Sequence, residues 1–440
     1  MSKFVDVLRR HCHEDSNILY TKLFESLQKH NDIFLSSNFT ATNTCSALKA
    51  IHNQPDYQLK KPKTLILLPN PALVESITMF VRNTNTSLRT LGLFDGHQVK
   101  KNTRKLEVLP DVLIGTPARI LDLLALKAFQ LEQFDAIIVE NLGSFQYLGY
   151  SDQLNDILEQ TSPKCKVIIT SKTDDLGDLD VLLSSNKNAV SKLRLRFPFK
   201  YHAFTVITDK SAKSISLYHL ISELFPNPVV VYCNHRGEAI RVAKFLHQKK
   251  LKVGILHGGI SDEHYENTLA MFRNGSLQAI ITTDYTAVTD LPELIFLVHY
   301  NMPINRQAYD KRNQVLLKHH HFATAFHLIQ EDEDQPEFIQ TIPDIFELKF
   351  DDGIAPTPWW STIKIVFTKE IAPLTLPDVI KLLTKHGRLH RDEIGMFEQH
   401  GSITYIAVVA HKALTIIERI NGKRMNNQIL EAVPISPVID

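Results

Sequence analysis

What most constrains this chain is a repeated alternation. From Asp32 to about Ser171, short apolar runs (IFLSS, TLILLP, TLGLF, DVLIGT, AIIVE, KVIITS) are separated by stretches of helix length. A second series follows, HAFTVIT, PVVVYCN, VGILHG, QAIITT, LIFLVHY and TAFHLI, with helical patterns such as Gly237 to Lys249 between them. Such β-branched-rich runs are too short for helices and lack the polar alternation of half-exposed strands. They read as strands buried on both faces of a parallel sheet, with the spacers as helical crossovers. The pattern predicts an α/β protein with two tandem parallel-sheet lobes, residues 1–195 and 200–335, joined near Leu195 to Lys200.

The next stretch breaks the pattern. Glu331 to Asp334 are all acidic, and Pro336, Pro343 and Asp351-Asp352-Gly353 follow, so the stretch reads as a solvated edge or, over residues 336–360, as a linker. After Trp359-Trp360 comes a compact α+β unit over 361–436. Its expected order is strand Thr362 to Thr368, helix Leu376 to His386, strands around Ile394 to Phe397 and Ile403 to Val409, helix His411 to Ile420, and strand Gln428 to Val433. Thr375 is placed to cap the first helix with Asp378 three residues on; Gly387 stops it, and Gly422 closes the second.

A length of 440 residues suits about three domains. Hydrophobic content of 44% and charged content of 22% are those of a soluble globular chain, and no apolar run reaches the ~18 residues of a membrane helix. The first residues carry charges where a signal peptide has its apolar core, so cytoplasmic residence without a membrane partner is expected. A formal charge of +1 gives no whole-protein attraction to nucleic acid; local patches must supply it. Cys12, Cys45, Cys165 and Cys233 are scattered, which argues against disulfides and structural zinc. His11-Cys12-His13 and His319 to His321 are adjacent residues that point different ways, so no metal site is expected.

The most informative stretch is Phe134 to Gly149, FDAIIVENLGSFQYLG. Its strand ends at Glu140, and in open α/β sheets ligands sit beyond the carboxyl ends of strands, where a nucleotide enzyme would hold magnesium. Asn141 comes next. The stretch resembles the second ATPase motif of the DEAD-box RNA helicases, in which the strand ends in Asp-Glu-Ala-Asp and a Gly-aromatic pair follows, here Gly149-Tyr150. The resemblance implies two RecA-like lobes, with Glu140 at the metal-binding Asp, Asn141 at the glutamate that polarises water, and Gly143 at the final Asp. An amide cannot take a proton from water.

Other motifs of that family are locatable by order. The phosphate loop falls on Ser36 to Thr44, with no glycine and no lysine; Asn43 stands where the lysine is expected, and Thr44 remains, though it reads equally as a helix N-terminal residue. Asn17-Ile18-Leu19-Tyr20 falls at the adenine-reading segment. The coupling motif falls on Ser171-Lys172-Thr173. The last motif, Tyr309 to Lys318, keeps Arg312 and puts Val315 and Lys318 where arginines are expected. The degenerate nucleotide pocket implied is Asn43, Thr44, Glu140, Asn141, Ser171, Thr173, Arg312 and Lys318, with no catalytic residue and no cofactor unless the chain is a working helicase, when ATP and magnesium return.

The RNA-facing motifs are less altered. Gly115-Thr116-Pro117-Ala118-Arg119 resembles Thr-Pro-Gly-Arg, in which a helix N-terminus meets a phosphate, although Pro117 also suits a first helical position for structural reasons. Gly96, His257-Gly258-Gly259 and Thr283 fall on further such motifs, while Pro71 replaces an arginine. The tail resembles the C-terminal RNA-binding domain of the DbpA subfamily, an RRM-like unit, in which Tyr405 offers a stacking face and Lys364, Arg388, Arg391, Lys412, Lys423 and Arg424 could track phosphates. The expectation is a DEAD-box-like RNA-binding protein without hydrolysis or unwinding, associated with RNA of the large ribosomal subunit or with ribosomal particles and not with DNA. Two alternatives stand beside it: a working ATP-dependent helicase resting on Glu140, Thr44, Arg312 and Lys318, and a protein-interaction scaffold.

Overall fold

The six strands of the first series form one parallel sheet, joined by a seventh, Val190–Leu195, that no apolar run announces. They are β1 (Asp32–Ser37), β2 (Thr64–Leu67), β3 (Thr90–Leu93), β4 (Val112–Gly115), β5 (Ala136–Val139), β6 (Lys166–Ser171) and β7 (Val190–Leu195), in the order β3-β4-β2-β5-β6-β1-β7. The computed structural model describes residues 17–37, 43–57, 61–84, 87–93, 106–172, 190–196, 200–209, 212–225, 227–284, 291, 294, 296–317, 322–331, 333, 336, 344–345, 348, 357–367, 374–425 and 428–437. Among these the chain divides into two compact units, Met1–Phe197 with His390–Glu393, and Pro198–Leu389 with Ile394–Asp440.

In the first unit, β2, β4 and β5 are buried throughout, which is why their sequences show no polar alternation. Helices fill the crossovers: α1 (17–27), α2 (Asn43–His52), α3 (Pro71–Thr84), α4 (Pro117–Ala125), α5 (Leu142–Tyr147) and α6 (Ser151–Glu159). Leu65, Leu113, Ile137 and Val139 pack with Leu123, Phe145, Leu154 and Ile157 of the covering helices in one apolar cluster. Pro117 opens α4, as the sequence predicts. The carboxyl ends of β1, β5 and β6 lead into Thr44, Glu140 and Ser171.

The second unit holds two sheets. One is parallel, built from β8 (Lys200–Thr208), β9 (Val229–Cys233), β10 (Val253–Leu256), β11 (Ala279–Thr283), β12 (Phe296–His299), β13 (Phe322–Gln330) and β14 (Asp344–Ile345) in the order β10-β11-β9-β12-β13-β8-β14. Its helices are α7 (Lys213–Leu224), α8 (Arg236–Gln248), α9 (Asp262–Arg273) and α10 (Arg306–Asn313). Side chains of Ser261 and Asn305 cap α9 and α10 by accepting from backbone N–H groups. Asp344–Ile345 lies inside the stretch expected to be a linker; it instead extends the sheet beside β8, whose backbone would otherwise be an open edge.

The other sheet is antiparallel, with β15 (Trp360–Phe367), β16 (Ile394–His400), β17 (Ile403–Val409), β18 (Arg424–Met425) and β19 (Gln428–Pro434) in the order β16-β17-β15-β19-β18. Two helices, α11 (Leu376–Lys385) and α12 (Ala413–Ile420), cover one face, where Ile363, Ile365, Ile406, Val408 and Leu430 meet Val379, Leu383 and Ile416. The predicted capping box is present: Thr375 accepts from the Asp378 amide, and the Asp378 carboxylate accepts from the Thr375 amide. Gly387 lies two residues past the end of α11, where a Cβ would meet the Leu383 carbonyl oxygen at 2.6 Å, and the left-handed residue that turns the chain away is Arg388 (φ 58°). A 3-10 turn, Ala410–Lys412, takes the place of the expected first turn of α12.

Candidate nucleotide site and nucleic-acid surface

The nucleotide-site residues of the first unit gather at the carboxyl edge of its sheet. Thr44 is the second residue of α2, the helix that follows β1, and its hydroxyl donates to the Glu140 carboxylate at the end of β5. Burial pushes the Glu140 carboxyl up to about 7, partly offset by the Thr44 hydrogen bond and the Lys172 charge. A hydroxyl and a carboxylate so placed form the hard oxygen pair that magnesium accepts. Asn43, beside Thr44 at the start of α2, and Ser171, at the end of β6, are also buried. Thr173, Lys318 and Gly96 lie outside the described residues, as do residues 38–42 of the phosphate loop and both histidine clusters.

Asn141 adopts a left-handed conformation (φ 60°, ψ 70°) at the N-cap of α5. Its amide N–H donates to the Thr170 hydroxyl at 2.9 Å, and its side-chain Nδ2 donates to the Ser144 hydroxyl at 2.7 Å. The residue expected to replace a base is thus used as a structural corner, a conformation asparagine tolerates better than most residues. Tyr20 is half-buried, its ring 5.8 Å from that of Phe24 and under the Lys49 ammonium at 4.6 Å.

Several expected contact residues turn out to be interior. Arg312, expected in the nucleotide pocket, is 1% exposed within the second unit. Its guanidinium donates to both Asp284 oxygens at 2.5 Å, to the Asn301 carbonyl at 2.8 Å and to Asn234 at 2.7 Å, so its planar fork is committed to holding the chain together. Thr283, expected to face RNA, is buried at the end of β11. Thr116 and Arg119, expected to meet a phosphate, are also buried; Arg119 ion-pairs Asp392 at 3.5 Å and Asp122 at 3.9 Å. Arg391 stacks its guanidinium 4.4 Å from the Tyr150 ring centroid. The three arginines, expected to meet nucleotide or RNA, thus find acidic or aromatic partners within the chain.

Lys364 and Tyr405 are likewise engaged. Lys364 meets Glu263 at 2.6 Å, and Tyr405, 1% exposed, donates its hydroxyl to Asn267 at 2.8 Å. Among the described residues, four of those expected to meet RNA are exposed: Gly258, Arg388, Lys423 and Arg424. Lys412 is half-buried. Arg388 follows α11 while Lys423 and Arg424 follow α12, and Arg419 of α12 donates to the Gly387 carbonyl at 3.0 Å, which brings the two helix ends side by side. Asp284, Asn234 and Asp392 carry no sequence signal of their own, except that Asp284 directly follows Thr283.

Comparison with known proteins agrees with the two parallel-sheet lobes. A model described as DEAD/DEAH box helicase matches residues 25–176, and one described as Helicase conserved C-terminal domain matches 212–314, together more than half of the chain. The chain belongs to the DEAD-box helicase family. Relatives include DEAD-box ATP-dependent RNA helicase 9, mitochondrial, of Arabidopsis thaliana, 26% identical over 269 residues that cover 58% of this chain and 42% of that protein. Eukaryotic initiation factor 4A of Drosophila melanogaster is 24% identical over 288 residues, 64% of this chain and 72% of that one. The match thus spans less than half of the Arabidopsis protein and nearly three quarters of the Drosophila one. Among solved structures, a DEAD box protein from the hyperthermophile Methanococcus jannaschii aligns with a TM-score of 0.39 at 17% identity, over 71% of this chain and 86% of that chain.

These relatives overturn the expectation that no cofactor is involved. ATP dependence is in the names of such family members, the family match covers the lobe that carries Thr44 and Glu140, and the oxygen pair those residues form suits a magnesium ion.

Proposed function

We propose that this DEAD-box family chain binds RNA together with ATP and magnesium, but hydrolyses ATP slowly or not at all and therefore does not unwind duplexes. Thr44 and Glu140 would hold the magnesium, which supplies charge neutralisation of the phosphates when bound. Asn141 carries the reading. It occupies the strand-end position after the metal carboxylate, and its amide is an acceptor and donor of hydrogen bonds but not a base. Loss of a positioned base costs about 10²–10⁴-fold in rate. The commitment of Arg312 to Asp284 supports the same reading, because a guanidinium engaged in this way is not free to meet developing charge.

The C-terminal unit is RRM-like and DbpA-type in this reading. Support comes from its βαββαβ chain order, with the two-residue β18 added before the last strand, and the strand order β16-β17-β15-β19-β18. RNA phosphates meet Gly258 on the second lobe and Arg388, Lys423 and Arg424 on the C-terminal unit, and structured RNA of the large ribosomal subunit in the cytoplasm is the target class. Nucleotide binding followed with a fluorescent ATP analogue, beside RNA-stimulated phosphate release, tests the proposal. Saturable, magnesium-dependent binding with background phosphate release is expected. Phosphate release at a rate typical of the family, abolished by Glu140→Gln, would sink it and establish the working-helicase reading that the relatives' names favour.

A further inference from the structure

The antiparallel sheet has two faces, and only one is covered by its own helices. Strand alternation puts Trp360, Thr362 and Lys364 of β15 on the other face, with Tyr405 of β17 opposite Lys364 and Glu398 of β16 opposite Tyr405. An aromatic ring beside a lysine on an open sheet is the kind of surface on which bases stack. Here that surface is occupied. Thr362 and Tyr405 are each 1% exposed and Trp360 is 8% exposed, because α9 of the second lobe and the turn after it lie against them.

The fit is specific in charge. The sheet offers Lys364 to Glu263 near the start of α9 at 2.6 Å, and offers Glu398 to Arg273 at its end at 3.0 Å. Between them the Tyr405 hydroxyl donates to Asn267, four residues beyond Glu263 and so on the same face of the helix. A helix laid in the opposite direction would bring each charge to its like, so this pattern selects one orientation. Lys364 also holds the Glu263 carboxyl below its usual range.

The fit is also specific in shape. The helix ends in a Schellman turn, in which the Ser276 amide donates to the Met271 carbonyl and the Gly275 amide to the Phe272 carbonyl, with Gly275 at φ +72°. That turn delivers the Ser276 hydroxyl to the buried Thr362 hydroxyl at 2.7 Å. It also lays Gly275 on the indole of Trp360, where a Cβ would come within 3.2 Å of the ring. From the sheet side, Gly395 leaves equal room, since a Cβ there would also meet that indole at 3.2 Å. The indole therefore sits in a slot made by two glycines, one from each partner.

We propose that the outer sheet face of the C-terminal unit is a permanent joint whose partner is the Asp262–Arg273 helix of the second lobe, and that it is not offered to RNA. The C-terminal unit then moves with the second lobe, and any RNA it holds lies on the Arg388 and Lys423 side. Charge exchange in the full-length chain tests the joint without reference to RNA. Lys364→Glu and Glu263→Lys are each expected to lower the melting temperature by about 2–4 °C, and the two together to restore most of the loss. Purely additive losses overturn the joint. Tyr405→Phe, which deletes one hydroxyl and nothing else, is expected to lower the melting temperature while leaving affinity for a labelled hairpin RNA within about twofold of the starting chain, a shift well below one good contact. A tenfold loss of RNA affinity at unchanged melting temperature would show that the ring meets RNA, and would overturn the proposal.

Discussion

Glu140 and Asn141 are neighbours with opposite assignments: one keeps an oxygen pair together, the other turns the chain. Burial lifts the Glu140 carboxyl from its ordinary 4.5 to about 7. The folded state therefore binds more protons than the unfolded state between those values, and stability falls as pH rises through that window. Urea unfolding at pH 5 and pH 8 is expected to show this fall, and Glu140→Gln to flatten it; an unchanged slope in the variant would place the titration elsewhere. At the next position, Asn141→Glu restores a base at the cost of about 1 kcal/mol for a left-handed backbone that suits asparagine better. Phosphate release is expected to rise by up to about 10²-fold, limited by the lysine missing from the phosphate loop. Both residues were legible in the sequence because a strand end announces itself by its apolar run. Arg119 and Arg312 were not. Arginine is normally a surface residue, and what buries these two is acidic partners, Asp392 and Asp284, that no local pattern connects to them. For Arg312→Ala the expected destabilisation is about 3 kcal/mol or more, measured by denaturant unfolding, because the carbonyl and amide groups around it lose their donor; Arg312→Lys recovers only part, having no fork.

Helices and strands were mostly readable, and the reasons are local. Apolar runs set most strands of both parallel sheets, though not the alternating, partly exposed VSKLRL of β7, and α11 was marked at its start by Thr375 with Asp378. Thr375→Ala removes an acceptor for the Asp378 amide and is expected to cost about 1 kcal/mol by the same unfolding assay. What escaped reading depends on distant partners. The two residues of β14 have no periodicity of their own and are strand only because β8 presents an edge. The seat of α9 on the antiparallel sheet is equally invisible in the sequence, since a polar helix face with Glu263, Asn267 and Arg273 reads as solvated. Gly275 is where that seat can be probed: Gly275→Ala meets both a positive φ and the Trp360 ring, and about 1–2 kcal/mol of destabilisation is expected, against about 1 kcal/mol if the left-handed backbone alone mattered.

Over the whole chain, a formal charge of +1 means that no general field draws RNA in, and affinity must come from a few placed cations. Three of the arginines and lysines that the sequence suggested for this task, Arg119, Arg391 and Lys364, are spent on internal partners. Arg388, Lys423 and Arg424 remain exposed where α11 and α12 end side by side. Binding through so few phosphates has a measurable signature, because each contact to a single strand contributes about −0.7 to the slope of log affinity against log salt. Alanine at any one of the three is expected to make the slope shallower by about 0.7 and to weaken binding to all sequences alike, the behaviour of a phosphate contact and not of a base reader. Slopes that stay unchanged in all three variants would move the RNA away from this corner, leaving Gly258 and the second lobe as the surface to test next.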